Sequence, residues 1–280
     1  MAPRYATRLW CLFEIFVAEK DHIPVQACVA DRGRKALVDM VKKGGTEDIL
    51  GGMKINSARA TATMREDETH IKRLISETSS FSTVDNKVMD AIARSYHSLL
   101  VEAVQVLSHD ASVTKLILPN LRLGDAHACA VAEVLQTNRT IAAVILGSLC
   151  LDITTNIGDE GARALADSCK INRVVRRLDL PNGLITDDGA AALAEMLKHN
   201  STIKCLILKA NKIGDVGACA LAEGVTGRKI EIQLQLEGNQ IGDVGACALA
   251  KAATSGSMSD LCLPQNPIGP RGKEALAKVN

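Results

Sequence analysis

The chain has 280 residues, with 33 Lys and Arg against 32 Asp and Glu, and therefore a formal net charge of +1 at pH 7. Every Phe, Tyr and Trp lies at or before Tyr96, so the remaining sequence offers no aromatic platform for bases, and nucleic-acid binding is not expected. The sequence has no apolar run of 18 residues and no signal peptide, which predicts a cytoplasmic protein with no membrane partner.

Residues 1–110 contain all the aromatic side chains and lack the periodicity of the rest of the chain. The stretch from Tyr5 to Ile15 reads YATRLWCLFEI and resembles the YASSxWCLxEL stretch of TIR domains, especially those of plant immune receptors. The resemblance implies that this stretch opens a helix of a flavodoxin-like α/β fold and that residues 23–29 form the next strand. It also places Glu14 at the position of the catalytic glutamate of TIR enzymes that cleave NAD.

We expect Glu14 not to be catalytic, because the stretch corresponds to only the C-terminal half of a TIR domain. A catalytic acid needs a substrate held within reach, and residues 1–30 supply one helix and one strand of the presumed nucleotide pocket. A TIR-type NAD hydrolase using Glu14 is the alternative. A helix with an acidic start is predicted within residues 58–75, and a second helix over residues 84–107. Residues 1–110 are therefore predicted to be a truncated TIR-like α/β segment with a helical linker.

A ten-residue phrase recurs in the second part of the chain. It reads IGDEGARALA, ITDDGAAALA, IGDVGACALA and again IGDVGACALA, with starts 28 residues apart, and weaker copies stand on either side. The six copies begin at Leu123, Ile157, Ile185, Ile213, Ile241 and Ile268. A fixed period in the twenties is typical of a solenoid, in which stacked units bury one another's apolar faces. Residues 111–280 are therefore predicted to form a solenoid of six repeats, with a loop bulge within GSLCLDITTN.

Each repeat combines a strand pattern with a helix pattern. A Leu-x-Leu alternation precedes the phrase and predicts a strand with one face inward, as at Leu206 and Leu208. Small and apolar residues three and four apart follow, as at Ala218 and Leu221, and predict a helix. We expect the aspartate of the phrase to accept from free backbone amides at the start of the helix. Four of these aspartates are Asp125, Asp159, Asp215 and Asp243.

The repeats resemble the leucine-rich repeats of the ribonuclease-inhibitor type, which read LxLxxNxIGDxGAxALAxxL and occur in NOD-like receptors. Asn211, Asn239 and Asn266 occupy the asparagine position of that pattern, whereas Gly183 and Leu121 replace it in two repeats. The resemblance implies an α/β solenoid with parallel strands inside and helices outside.

Sequence signatures of chemistry are missing. The six His residues have no metal-ligand spacing, the nine Cys residues form no Cys-x-x-Cys pair, and no GxxxxGK[ST] phosphate loop occurs. We therefore expect no metal, no cofactor and no enzymatic activity.

The strand residues that flank the buried leucines are predicted to form a concave binding face. A row of such positions suits a protein or peptide better than a small molecule, which requires a deep cavity. The candidate partner-binding residues are Lys115, Ile117, Ile145, Arg177, Asp179, Ile207, Lys209, Gln235 and Glu237. The leading hypothesis is a cytoplasmic protein-interaction module of the signalling or immune-receptor kind. A Ran-type GTPase-activating regulator, which uses the same repeat type, is a further alternative. The remaining alternative is that the face binds no partner and is only the solvated side of the sheet.

Overall fold

The structure is a computed structural model that describes residues 9–20, 31–42, 57–60, 65–118, 123–147 and 154–279. Its contacts divide the chain into two compact units. The first contains Met1–Arg34 and Asp48–Leu100, and the second contains Lys35–Glu47 and Val101–Asn280. The domain boundary at residue 110 is a separate prediction. The division by contacts does not test it.

The described elements that precede the repeats are all helical. They are α1 Leu9–Lys20, α2 Asp31–Lys42, α3 Arg65–Thr78 and α4 Phe81–Gln105, followed by a short 3-10 turn, Val106–His109. The predicted acidic helix start is present in α3, whose first turn contains Glu66, Asp67 and Glu68. The predicted helix over residues 84–107 corresponds to α4. The predicted strand over residues 23–29 lies outside the described residues.

The first unit has a small core built from helices. Buried side chains of α1, α3 and α4 meet there, among them Phe16, Ile71, Ile75 and Val84. The ammonium group of Lys87 lies 5.8 Å from the Phe16 ring centroid, a favourable cation–π distance. Within the described residues of this unit, the core is formed by the packing of helices.

The second unit contains six parallel strands in chain order, β1 to β6, each paired with its sequence neighbours. They are β1 Lys115–Leu118, β2 Ala143–Leu146, β3 Arg177–Asp179, β4 Cys205–Ile207, β5 Ile232–Gln235 and β6 Met258–Cys262. A helix follows each strand: α5 Asp125–Thr137, α6 Asp159–Ile171, α7 Asp187–His199, α8 Asp215–Val225, α9 Asp243–Thr254 and α10 Pro270–Leu276. This arrangement confirms the predicted α/β solenoid of six repeats with parallel strands.

The core of the solenoid lies between the sheet and the helices. Leu178, Leu206 and Leu234 are in register on neighbouring strands, and each is fully buried. The helices contribute small and apolar residues such as Ala218 and Leu221, which are also fully buried. One repeat cannot enclose these groups, so each repeat depends on its neighbours for burial.

The aspartate of each of the first five phrases bonds to the next repeat, which differs from the predicted cap of its own helix. Asp187 is the first residue of α7, and its Oδ1 accepts from the backbone N–H groups of Gly214 at 2.7 Å and Gly217 at 2.9 Å. These two donors stand at the start of α8, where a helix cannot supply acceptors from its own backbone. Equivalent bonds from the following repeat reach Asp125, Asp159, Asp215 and Asp243.

The bond to Asp187 explains why residue 217, near the start of α8, is a glycine. A Cβ atom at Gly217 would lie 2.6 Å from Oδ1 of Asp187 and 2.9 Å from the Cβ of Ala190. Both distances are shorter than side chains tolerate, so only glycine lets α7 and α8 approach closely enough for the bond to form.

Buried asparagines join the repeats at the strand ends. The amide of Asn211 donates to the carbonyls of Leu180 at 2.8 Å and Leu208 at 3.0 Å, and its Oδ1 accepts from the N–H of Ile185 at 3.1 Å. Asn239 and Asn266 repeat this pattern one and two units later. The asparagine position of the repeat therefore satisfies backbone groups of two successive units.

A second series of asparagines follows the helices. Asn200 donates to the carbonyls of Cys169 at 2.7 Å and Asn172 at 3.1 Å, and Asn138 and Asn172 make equivalent bonds. Asn138 and Asn200 match the glycosylation sequon, yet both are buried. In the next repeat Arg228 takes this position, and its guanidinium donates to the carbonyls of Leu197, Asn200 and Ile203.

Replacing Asp187 by Ala is expected to lower the free energy of unfolding by about 1–2 kcal/mol, because two N–H groups at the start of α8 lose their acceptor. The matched control is Asp188→Ala, since Asp188 is the next residue, is exposed and also carries a carboxylate. The control should cost about 0.5 kcal/mol or less. Urea denaturation measures both, and equal losses would contradict the inter-repeat role of Asp187.

Candidate functional site

The candidate site is the outer face of the sheet, defined as the face opposite the buried leucines. Strand register arranges its side chains in two columns. The first column is Lys115, Ala143, Arg177, Cys205, Gln233 and Asp260. The second column is Ile117, Ile145, Asp179, Ile207, Gln235 and Cys262. Seven of the nine candidate partner-binding residues stand in these columns, whereas Lys209 and Glu237 follow the ends of β4 and β5.

The apolar positions of the second column are not continuous. Ile117 and Ile145 are in register on β1 and β2, and both are half-buried. Asp179 follows on β3 and separates them from Ile207 on β4. The outer face thus carries an apolar pair at the β1–β2 end and a polar centre.

Two predicted contact residues are less accessible than the strand pattern implied. Ile207 is 6% exposed and Asp179 is 1% exposed, although both stand in the outer column. Asp179 is held by Arg177 on the same strand, and Ile207 lies between Asp179 and Gln235 on its two neighbouring strands. The expectation that Ile207 offers an accessible side chain to a partner is therefore wrong about its burial.

Arg177 and Asp179 form a two-atom ion pair at the centre of the face. The Nε of Arg177 donates to Oδ1 of Asp179 at 2.9 Å, and its Nη2 donates to Oδ2 at 2.7 Å. Burial raises the pKa of Asp179, and the Arg177 charge opposes that rise. The bond to Asp179 raises the pKa of Arg177, whose guanidinium remains half-exposed.

Two polar pairs connect neighbouring repeats on the same face. Nζ of Lys209 lies 2.9 Å from Oε2 of Glu237, and both side chains are half-buried. Nε2 of Gln235 donates to Oδ2 of Asp260 at 2.9 Å. These contacts restrict the predicted residues Lys209, Gln235 and Glu237 to defined orientations.

The thiols on the outer face and in α6 are in surroundings that do not activate them. Burial raises the pKa of Cys205 and Cys262 on the outer face, and it raises the pKa of Cys169 to about 12. A raised pKa keeps these thiols protonated and weakly nucleophilic at neutral pH. Across the described residues no group of three His, Cys, Asp or Glu side chains could hold a metal ion.

Glu14 lies on α1 in the first unit. Its side chain is exposed, whereas those of Phe13 and Ile15 on either side are half-buried. The structure therefore places the catalytic candidate from the TIR resemblance in contact with solvent.

Three exposed cations near the strand starts were absent from the predicted set. They are Arg176, Lys204 and Lys229. The available sequence signal is a basic residue directly before the strand pattern in repeats three and four, but only the sheet register shows that these residues are neighbours.

Comparisons with known proteins identify the repeats. The leucine-rich repeat family model matches residues 151–166, 199–222 and 233–250. The search of curated proteins finds no match. Among solved structures, the chain is similar to actin-binding site 2 of leiomodin-1, with 16% identity and a TM-score of 0.41 over 64% of this chain and 84% of that chain. None of these findings supports a TIR segment in residues 1–110.

The three matched segments lie in the second unit, and its parallel strands alternating with helices agree with leucine-rich repeats. Of the described helices, none is both long enough and apolar enough to cross a membrane.

Removing the two halves of the central ion pair should have unequal effects. Arg177→Met leaves a buried carboxylate without its cation and should cost about 1–3 kcal/mol at pH 7, whereas Asp179→Asn should cost less than about 1 kcal/mol. Because the folded pKa of Asp179 is raised, the stability linked to this group is complete below its unfolded pKa and is lost as the pH rises. The Arg177→Met defect should therefore be smaller at pH 3 than at pH 7.

Urea denaturation of both variants, each compared with the unmodified chain at pH 3 and pH 7, measures this asymmetry. Equal losses for the two variants, or an Arg177→Met loss that does not change with pH, would show that the buried carboxylate of Asp179 carries no such penalty.

Proposed function

We propose that this leucine-rich-repeat chain is an interaction module that binds a protein partner through the outer face of its sheet. The observation that supports the proposal most directly is the register of six parallel strands, which aligns the side chains of successive repeats on one face. Such a row presents contacts over a length that suits a protein or a peptide rather than a small molecule.

The composition of the face supports protein recognition. The half-buried Ile117 and Ile145 supply apolar area, and Arg177 is a residue type that often dominates the binding energy of protein interfaces. Because Asp179 already fixes the Arg177 guanidinium, a partner would not have to order that side chain on binding.

Sequence resemblance to NOD-like-receptor repeats supports the further proposal that this binding serves cytoplasmic signalling. The repeats would then sense a partner, and the helical first unit would pass the signal to an effector or adaptor.

Affinity capture with the full chain as bait tests the proposed face, with captured proteins identified by mass spectrometry. Ile145→Asp places a charge on the apolar pair of the face. Val216→Asp is the matched control, because Val216 is an apolar residue of α8 that is 72% exposed. Proteins that are lost with Ile145→Asp and retained with Val216→Asp would support recognition by the face. Loss or retention with both variants would contradict it, provided that circular dichroism shows both to be folded.

We further expect the 280-residue chain not to hydrolyse NAD. Glu14 is exposed, and a carboxylate in water lacks the shielded, pre-organised surroundings that produce large rate enhancements. Chromatographic measurement of nicotinamide release should show no difference between the chain and its Glu14→Gln variant. Release that disappears in Glu14→Gln would establish the enzyme instead.

A further inference from the structure

A group of cations lies where β3 and β4 begin and where the chain approaches β5. We define Arg176, Arg177, Lys204 and Lys229 as the strand-start cluster. Arg176 and Lys204 are exposed neighbours, because the backbone N–H of Lys204 donates to the carbonyl of Arg176 at 2.7 Å. Lys229 is also exposed, and it lines one open depression together with Lys204. The cluster thus extends over three successive repeats.

The carboxylates near the cluster neutralise it only in part. Asp179 is bound to Arg177, and Asp260 accepts from Gln235. Glu231 is exposed and lines the same depression as Lys204. In the part of the chain that the structure describes, Arg176, Lys204 and Lys229 form no ion pair.

Other cations of the same repeats are paired with carboxylates. Nζ of Lys198 near the end of α7 lies 3.3 Å from Glu195, and Lys209 on the outer face is paired with Glu237. Like charges on adjacent strands repel, and Arg176 and Lys204, unlike these paired cations, have no ion-pair partner among the described residues that would offset the repulsion. An anionic partner would remove that repulsion and gain attraction at the same place.

Arg177 extends the cluster onto the outer face. Its Nε and Nη2 bind Asp179, and the half-exposed guanidinium has further N–H groups that can bind a second carboxylate. Arg177, the member of the cluster that lies on the outer face, is thus already oriented to bind a carboxylate through two atoms.

We propose that the strand-start cluster binds an acidic, extended segment of the protein partner, with carboxylates two residues apart. Side chains at that interval point the same way and lie about 6.6–6.8 Å apart, which flexible cations on strands about 4.8 Å apart can reach. A nucleic acid fits less well, because Tyr96 is the last aromatic residue of the sequence and Glu231 and Asp260 would repel a continuous phosphate chain. This inference rests on the proposed function, and it specifies that the segment of the partner that contacts the cluster is negatively charged.

Fluorescence anisotropy with the full chain tests this assignment. The probe is a labelled peptide in which four Glu residues alternate with Ser, and labelled oligo-dT of similar charge is the nucleic-acid comparison. The test variant is Arg176→Glu with Lys204→Glu, and Arg176→Gln with Lys204→Gln is a milder version that preserves folding. The control is Lys212→Glu with Arg271→Glu, which makes the same charge change at exposed cations near the helix starts.

The acidic peptide should bind saturably, more weakly at 300 mM than at 50 mM salt, and about tenfold or more weakly to the test variant than to the control. Absent binding, or equal weakening in the control, would overturn the proposal. Tighter binding of oligo-dT than of the peptide would also overturn it, in favour of a nucleic-acid surface.

The two proposals fail separately. If Ile145→Asp abolishes partner capture while the acidic peptide does not bind, the outer face stands and the strand-start cluster is excluded as a contact. If the peptide binds at the cluster while Ile145→Asp loses no partner, the acidic-segment site stands and the apolar pair of the outer face is excluded as a contact.

Discussion

The stacking of the repeats depends on one carboxylate in each of the first five, which binds the start of the next helix. A helix start has N–H groups without backbone partners and a partial positive charge, and Asp187 supplies both the acceptors and the negative charge for α8. The bond requires the glycine at position 217, which lets α8 approach Ala190 of α7. Because each helix is fixed at this distance from the preceding one, the strands that precede them pair in register, and the outer face follows from that register.

The carbonyl groups between repeats are satisfied by donors on side chains, and the chemistry of the donor can vary. Asn200 binds two carbonyls with one amide, whereas Arg228 reaches three with its guanidinium. Burial lowers the pKa of Arg228, which is the expected effect of turning a cation towards the interior. The position therefore demands hydrogen-bond donors facing backbone carbonyls rather than a particular residue type, and a strict asparagine pattern would overlook Arg228.

The 28-residue period predicted the repeats because stacking makes each unit copy the last, so the strands and helices could be read directly from the sequence. The burial of Asp179 and Ile207 could not be predicted, since it depends on side chains that stand beside them only after the strands pair. For the same reason, the sequence did not show which N–H groups the aspartates of the repeats bind, because those groups belong to the next repeat. The short match around Glu14 carried no comparable constraint, because several helical packings can accommodate an apolar helix with Phe16 inward.

The two ends of each repeat have different consequences for binding. At the helix starts the aspartates are occupied by backbone N–H groups, so their charge is committed to folding. At the strand starts, Arg176 and Lys204 have no such role, and their charges remain directed to solvent. Repeat stacking constrains the first set, because a changed aspartate breaks the contact between two units, and it leaves the second set variable. A solenoid of this kind can therefore change the partners it binds at its strand starts and outer face while its helix starts keep the stack intact.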